Sequence, residues 1–251
     1  MSMLVKNEFF KLLKSKRYYV FICIVIALII LLAIATKSIL NSESVNEEII
    51  NRIRPYDFPM QVLGSMTDFL LPVFLTLIIT FFISDEFVAT TFKLPLLHGF
   101  KRVEVLLAKV ITTIIVVFLL LVITFLVSYG ISFMIWGSEV YNTAVILETI
   151  KGYILTLVPL ISFMFIIVTI ALLSKNSGVV IGIMVSLLVG GFLIGSLIPK
   201  VNKYSIVYYL KAFAVSSENL DLVFSSIVCI LYCVVFFVVS NQIIRRLEIN
   251  K

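Results

Sequence analysis

The chain has 251 residues, 61% of them hydrophobic and 14% charged, with a mean hydropathy of +1.18. Soluble domains carry about a quarter charged residues, so this balance excludes an ordinary soluble domain, and long unbroken apolar runs make lipid the solvent. The net charge of +6 is therefore read through the distribution of Lys and Arg between loops, not as a footprint for nucleic acid.

Residues 1–17 read as a basic amphipathic helix. Val5, Phe9, Leu12 and Leu13 share one face, and Asn7, Lys11 and Lys14 the other, the pattern of a helix lying in the interface of an anionic leaflet. A first span follows over 18–35, with Tyr18 and Tyr19 at headgroup level. Ala33-Ile34-Ala35 resembles a signal-peptide cleavage site, but the apolar run is longer than a signal core and more spans follow, so the segment reads as an uncleaved anchor. Residues 36–61 form a polar loop. In it Ser44 and Glu47 have capping-box spacing, Val45, Ile49, Ile50 and Ile53 form a stripe, and Pro55 closes that short helix.

The second span is expected over 62–83. Pro72 should kink it, and Asp68 lies about six residues, roughly 9 Å, from its outer end. Then comes a charged island, Ser84 to Lys109, holding Asp85, Glu86, Lys93, Lys101, Arg102, Glu104 and Lys109. Phe87, Phe92, Leu96 and Leu97 keep near-helical spacing, so its first half reads as a short amphipathic helix at a membrane surface. Further spans are expected over 110–136, 153–173 (containing Pro159), 178–198 and 222–240, with only a four-residue turn, Ser174 to Ser177, between the fourth and fifth. Tyr204 to Val215 is apolar but holds Lys211 and is too short to cross, so it reads as an interfacial or re-entrant helix.

Six spans put both termini on one side together with the island. That side holds thirteen Lys and Arg against seven on the other. The positive-inside rule then makes both termini and the island cytoplasmic, in a multi-pass protein of the plasma membrane. The fold class is an all-α membrane protein with one domain over 1–251.

Chemistry is sparse. There is no G-x-x-x-x-G-K-[ST] to cradle a nucleotide phosphate and no H-E-x-x-H, and the single histidine, His98, falls in the island. No catalytic, cofactor or metal site is expected. Cys23, Cys229 and Cys233 all lie in apolar runs and read as packing residues, not a disulfide framework. The fifth span carries small residues at Gly178, Gly182, Ser186 and Gly190, with Gly191 and Gly195 on a second register. Such stripes let helix backbones approach closely in lipid, and a tight contact within the subunit or across a dimer is expected. Asp68 is the one acid inside an apolar run. It is a candidate for the transport pathway, or an acid at the outer interface.

A basic interfacial helix, six spans, both ends inside and a charged island between spans two and three resemble the ABC-2 type permeases of ATP-binding cassette exporters. Members of that family often carry Glu, then Gly-Thr four and five residues on, an Arg eleven after the Thr and a Lys seven after the Arg. Glu86, Thr91, Arg102 and Lys109 hold those spacings; Thr90 stands at the Gly position, and Gly99 replaces a Pro common before the Arg. The resemblance implies that the island is a coupling helix docking on a separate ATP-binding cassette ATPase subunit, with Asp85, Glu86, Thr90, Thr91, Lys93, Arg102 and Lys109 as the coupling residues. ATP and magnesium would be bound by that partner, present in two copies, and a second permease copy or a paralogue would complete the exporter. The small members with an N-terminal amphipathic helix look most like permeases for bacitracin and lantibiotic immunity and for export of phenol-soluble modulins. A bridge from Glu86 to Arg102 would close the island into one rigid body. The rival class is a self-contained secondary transporter or channel, which would need ionisable groups or broken helices near the midplane.

Overall fold

A computed structural model describes residues 2–40, 55–89, 91–137, 142–215 and 221–246. Every regular element among them is helical, as it must be where no water can satisfy backbone N–H and C=O groups. Six helices are long and apolar enough to cross a membrane, and the chain is accordingly a multi-pass membrane protein: α2 (Lys16–Leu40), α3 (Pro55–Val88), α5 (Arg102–Trp136), α6 (Thr143–Ser174), α7 (Ser177–Leu197) and α9 (Leu222–Arg246). Three shorter helices complete the fold: α1 (Ser2–Leu13), α4 (Lys93–Leu97) and α8 (Ile206–Ala212). The short helix expected around Ser44 and Glu47 lies outside the described residues.

The bundle has a centre and an edge. In the most apolar window of α3 and of α6, 67% of the residues are buried, against 11% in α9, so α3 and α6 form the core and α9 leaves most of its surface on the outside of the bundle. The buried side of α2 is one stripe at helical spacing, Tyr18, Phe21, Val25, Ile29 and Ala33. The α6–α9 contact is pinned by hydroxyls two turns apart: Ser162 donates to the Cys229 carbonyl at 2.8 Å and Thr169 to the Phe236 carbonyl at 3.2 Å. Seven residues separate both donors and both acceptors, so the two helices keep register over that length.

α3 is not a plain α-helix. A π-helical turn, Met66–Leu70, precedes Pro72, and a second, Thr80–Ser84, precedes Asp85. Pro72 has no N–H and its ring crowds the preceding turn. The chain answers with an i→i−5 bond from Leu71 N–H to the Met66 carbonyl, so the expected kink is a wide turn. Pro55 opens a 3-10 turn at the head of this helix, Pro55–Asp57, and the span extends well beyond the expected 62–83.

The island is two pieces, not one helix. α3 runs on through Val88, and α4 is a separate five-residue helix. Gly99 then turns the chain at φ +87°, a conformation closed to proline, which accounts for the loss of the Pro that the resemblance would place there. Glu104 accepts from the Lys101 N–H at 3.0 Å and caps the start of α5. The amphipathic segment at the N-terminus is likewise shorter than 1–17, because α2 already begins at Lys16. The segment expected as one helix over Tyr204 to Val215 is a 3-10 stretch, Pro199–Tyr204, followed by α8, and it folds back against α7, α6 and α9.

Candidate functional site

The π turn at Thr80–Ser84 delivers two adjacent acids to the end of α3, and these acids organise a charge cluster. Glu86 is buried, and so is Lys109, two turns inside α5. Lys109 Nζ stands 2.7 Å from Glu86 Oε2 and 3.0 Å from Glu8 Oε2. The other oxygen of Glu86 receives Lys11. Glu8 and Lys11 are three residues apart on α1 and therefore share a face. That face lies along the beginning of α5, where Thr112 Oγ1 also reaches the Val5 carbonyl at 3.5 Å. Asp85 pairs with Arg17 at 3.2 Å and accepts from the Ser177 hydroxyl at the start of α7. Aromatic faces line the cluster: Phe81 lies 5.7 Å from Lys11 Nζ and 5.2 Å from Arg17 Cζ, and Phe82 lies 5.5 Å from Lys109 Nζ.

The bookkeeping of charge is even. Three acids, Glu8, Asp85 and Glu86, face three bases, Lys11, Arg17 and Lys109. A buried ion is tolerable only when paired and hydrogen-bonded, and Lys109 is held by two carboxylates. The cluster ties together α1, α2, α3, α5 and α7 at one end of the bundle. Chemically it is a clamp: its carboxylates and cations satisfy one another.

The coupling residues expected from sequence divide in two. Asp85, Glu86 and Lys109 meet in the clamp. The Glu86 carboxylate, expected to bridge to Arg102, is instead taken up by Lys109 and Lys11, because Arg102 lies seven residues, about 10 Å, further out along α5. Glu86 and Lys109 are buried and so present no surface to a docking partner. Thr91 is exposed, and on α4 beyond it Leu94 and Leu97 are exposed. Thr90 and the Lys93 side chain lie outside the described residues. Sequence reasoning missed Glu8, Lys11, Arg17 and Ser177 as members. One signal was available: Glu8 is the only acid in the first 42 residues, an odd placement in a basic helix unless it meets a cation.

At the other end of the bundle Asp68, on the first π turn of α3, pairs with Lys211 of α8 at 2.7 Å, both partly exposed. Two cavities of about 540 and 560 Å³ share this pair as a wall. The first is polar, with Asp57, Gln61, Glu148 and Thr149; the second is apolar, with Phe69, Leu188 and Phe192. Tyr209, two residues before Lys211, is buried, which pushes its phenol above the ordinary range against a hydrogen bond with Ser225.

The two glycine registers of α7 behave differently. Gly178, Gly182 and Ser186 are exposed, and a Cβ on Gly182 or Gly190 would meet nothing within 4 Å. Within the subunit this stripe makes no tight helix contact among the described residues. Gly191 and Gly195 do: a Cβ on Gly191 would stand 2.9 Å from Val207, and one on Gly195 would collide with the Asn202 side chain. Asn202 Nδ2 donates to the Gly195 carbonyl at 3.2 Å, so the returning segment lies against bare backbone.

The chain matches the family described as "Protein of unknown function (DUF2705)" over residues 54–250. The matched part includes Asp85, Glu86, Lys109 and Ser177 of the clamp; Glu8, Lys11 and Arg17 precede it. No curated protein matches the chain.

Proposed function

We propose that this chain, which belongs to the DUF2705 family, is the membrane-spanning permease subunit of an ATP-driven exporter. It would move an amphipathic substrate, an antimicrobial or toxin peptide by preference, out of the cell. Its ATP would be hydrolysed by a separate cassette ATPase, and two permease copies would alternate between inward and outward access. The clamp end, with the basic N-terminal helix, is assigned to the cytoplasm of the plasma membrane by the excess of Lys and Arg there.

The observation that carries this reading is the placement of the exposed α4 directly between the two halves of the clamp. α3 enters the clamp through Asp85 and Glu86, and α5 through Lys109. α4 lies between them in the chain and shows Leu94 and Leu97 to the outside. A partner pushing on α4 would move the ends of α3 and α5 together, and with them α1 and α7, because the ion pairs leave them no independent freedom. That is what a coupling element needs: a docking surface outside and a rigid transmission behind it.

The test is purification from native membranes with a mild detergent. An ATP-binding cassette protein should accompany the chain, and Leu97→Asp should lose it while the permease remains folded. Purification without any such protein, together with undiminished peptide export in a deletion strain, would overturn the proposal. A self-contained transporter or channel has one observation in its favour, the Asp68–Lys211 pair beside a π turn between two cavities. Flux through the purified chain alone in vesicles, without ATP, would support that reading.

A further inference from the structure

We propose that the groove between α2 and α3 at the basic end of the bundle is a binding site for one anionic phospholipid. The inference stands independently of the transport reading. A cavity of about 480 Å³ opens there, and its lining is segregated by chemistry. Its mouth is Ser15, Lys16 and Arg17; its walls are Phe21, Ile24, Phe74, Leu77 and Phe81, among other apolar side chains. The walls follow α2 from Lys16 to Ile24, a depth of about 12 Å at helical rise, while α3 runs the opposite way from Phe81 to Phe74. The groove is thus a slot with cations at one end and hydrocarbon along the rest. It lies on two spans, with its basic end where each span leaves the apolar zone.

An anionic phospholipid has the same segregation. Its phosphate would meet Lys16, which is exposed and has no ion-pair partner among the described residues. It would also meet the donors of Arg17 not used by Asp85. Arg17 is already fixed in place by that carboxylate and by the face of Phe81, so its guanidinium is pre-organised for a bidentate contact. The first turn of α2 adds outward-pointing backbone N–H groups. An acyl chain would lie along Phe21, Ile24, Phe74 and Leu77. Water cannot fill such walls favourably, and a detached phosphate would leave them uncovered, which selects the lipid over the free ion.

The experiment uses the purified full-length chain and native mass spectrometry after mixing with phosphatidylglycerol or phosphatidylcholine of matched acyl chains. One phosphatidylglycerol should be retained in preference to phosphatidylcholine. Lys16→Gln should weaken that retention about fivefold, as expected for loss of one basic contact to an anionic headgroup, and Lys16→Arg should preserve it. Leu77→Trp, an exposed position that fills the slot, should reduce phosphatidylglycerol binding without altering thermal unfolding in detergent. Millimolar inorganic phosphate should fail to displace the lipid. Equal retention of the two lipids, wild-type binding in both Lys16→Gln and Leu77→Trp, or full displacement by phosphate would each overturn the proposal.

Discussion

Lys109 and Glu86, 23 residues apart in sequence and on different spans, meet at 2.7 Å, and both are buried. The chain pays for an ammonium ion at that depth with a second carboxylate, Glu8 at 3.0 Å, brought by a helix at the other end of the sequence. Removing one member of such a group leaves a buried charge without its partner, at a cost of about 3–5 kcal/mol. Lys109→Met is therefore expected to lower stability by that order. Adding Glu8→Gln should recover part of the loss, because it removes one of the two stranded acids. Unfolding in a fixed detergent mixture checks both variants, and a neutral Lys109→Met would show that the pair carries no structural weight.

The same geometry predicts coupling between positions. Glu86→Gln and Lys109→Met should be non-additive by about 0.5–3 kcal/mol in a double-mutant cycle, since they touch. Asp68→Asn should be additive with either, because Asp68 lies at the opposite end of the bundle. An additive Glu86–Lys109 cycle would contradict the contact.

For the α7 glycines the expectation is opposite on the two registers. Gly191→Ala drives a Cβ against Val207, a stiff β-branched side chain, at 2.9 Å, and overpacking of that kind costs about 1–3 kcal/mol. Gly182→Leu meets open space and should leave the fold of the single chain unchanged. If the exposed stripe touches a second copy, Gly182→Leu lowers the dimer fraction in cross-linking while monomer unfolding stays put. Unfolding of the single chain by Gly182→Leu would mean that the stripe packs within the subunit.

Asp68 and Lys211 are partly exposed, so their pair should contribute less than about 1 kcal/mol to stability. Asp68→Asn is expected to unfold like the wild type and yet change transport, because the pair separates two cavities. Unchanged export in that variant would remove Asp68 from the pathway.

Orientation is checked by single cysteines in a background lacking Cys23, Cys229 and Cys233. Positions 14 and 101 should resist an impermeant thiol reagent applied to intact cells, and positions 143 and 200 should react. Labelling at 101 from outside would invert the assignment.

The spans were legible because hydropathy is additive along the chain: twenty apolar residues must be a helix in lipid whatever surrounds them. Pro72 announced a disturbance, but the form it takes, a bond from Leu71 to Met66, depends on backbone register, which composition does not carry. The clamp was half legible. Asp85, Glu86 and Lys109 stood out as charges beside apolar runs, while their partners Lys11, Glu8 and Arg17 are 75, 101 and 68 residues away from the groups they meet. Only the docking of α1 and of the first turn of α2 brings them together, so Arg102, the nearest cation of the right kind, was the wrong choice for Glu86. In α7 the error was of another sort. The helix is apolar on all sides, so periodicity could name two glycine registers but not which one Val207 and Asn202 would cover.

Handling of the protein follows from where Glu8 sits. A purification tag, a fluorescent fusion or a deletion that lifts the first dozen residues off the bundle would also strip Lys109 of one of its two counter-ions. A preparation made that way would carry a defect at the α3–α5 junction, some hundred residues from the alteration, and its loss of activity would be misassigned to the membrane-spanning part.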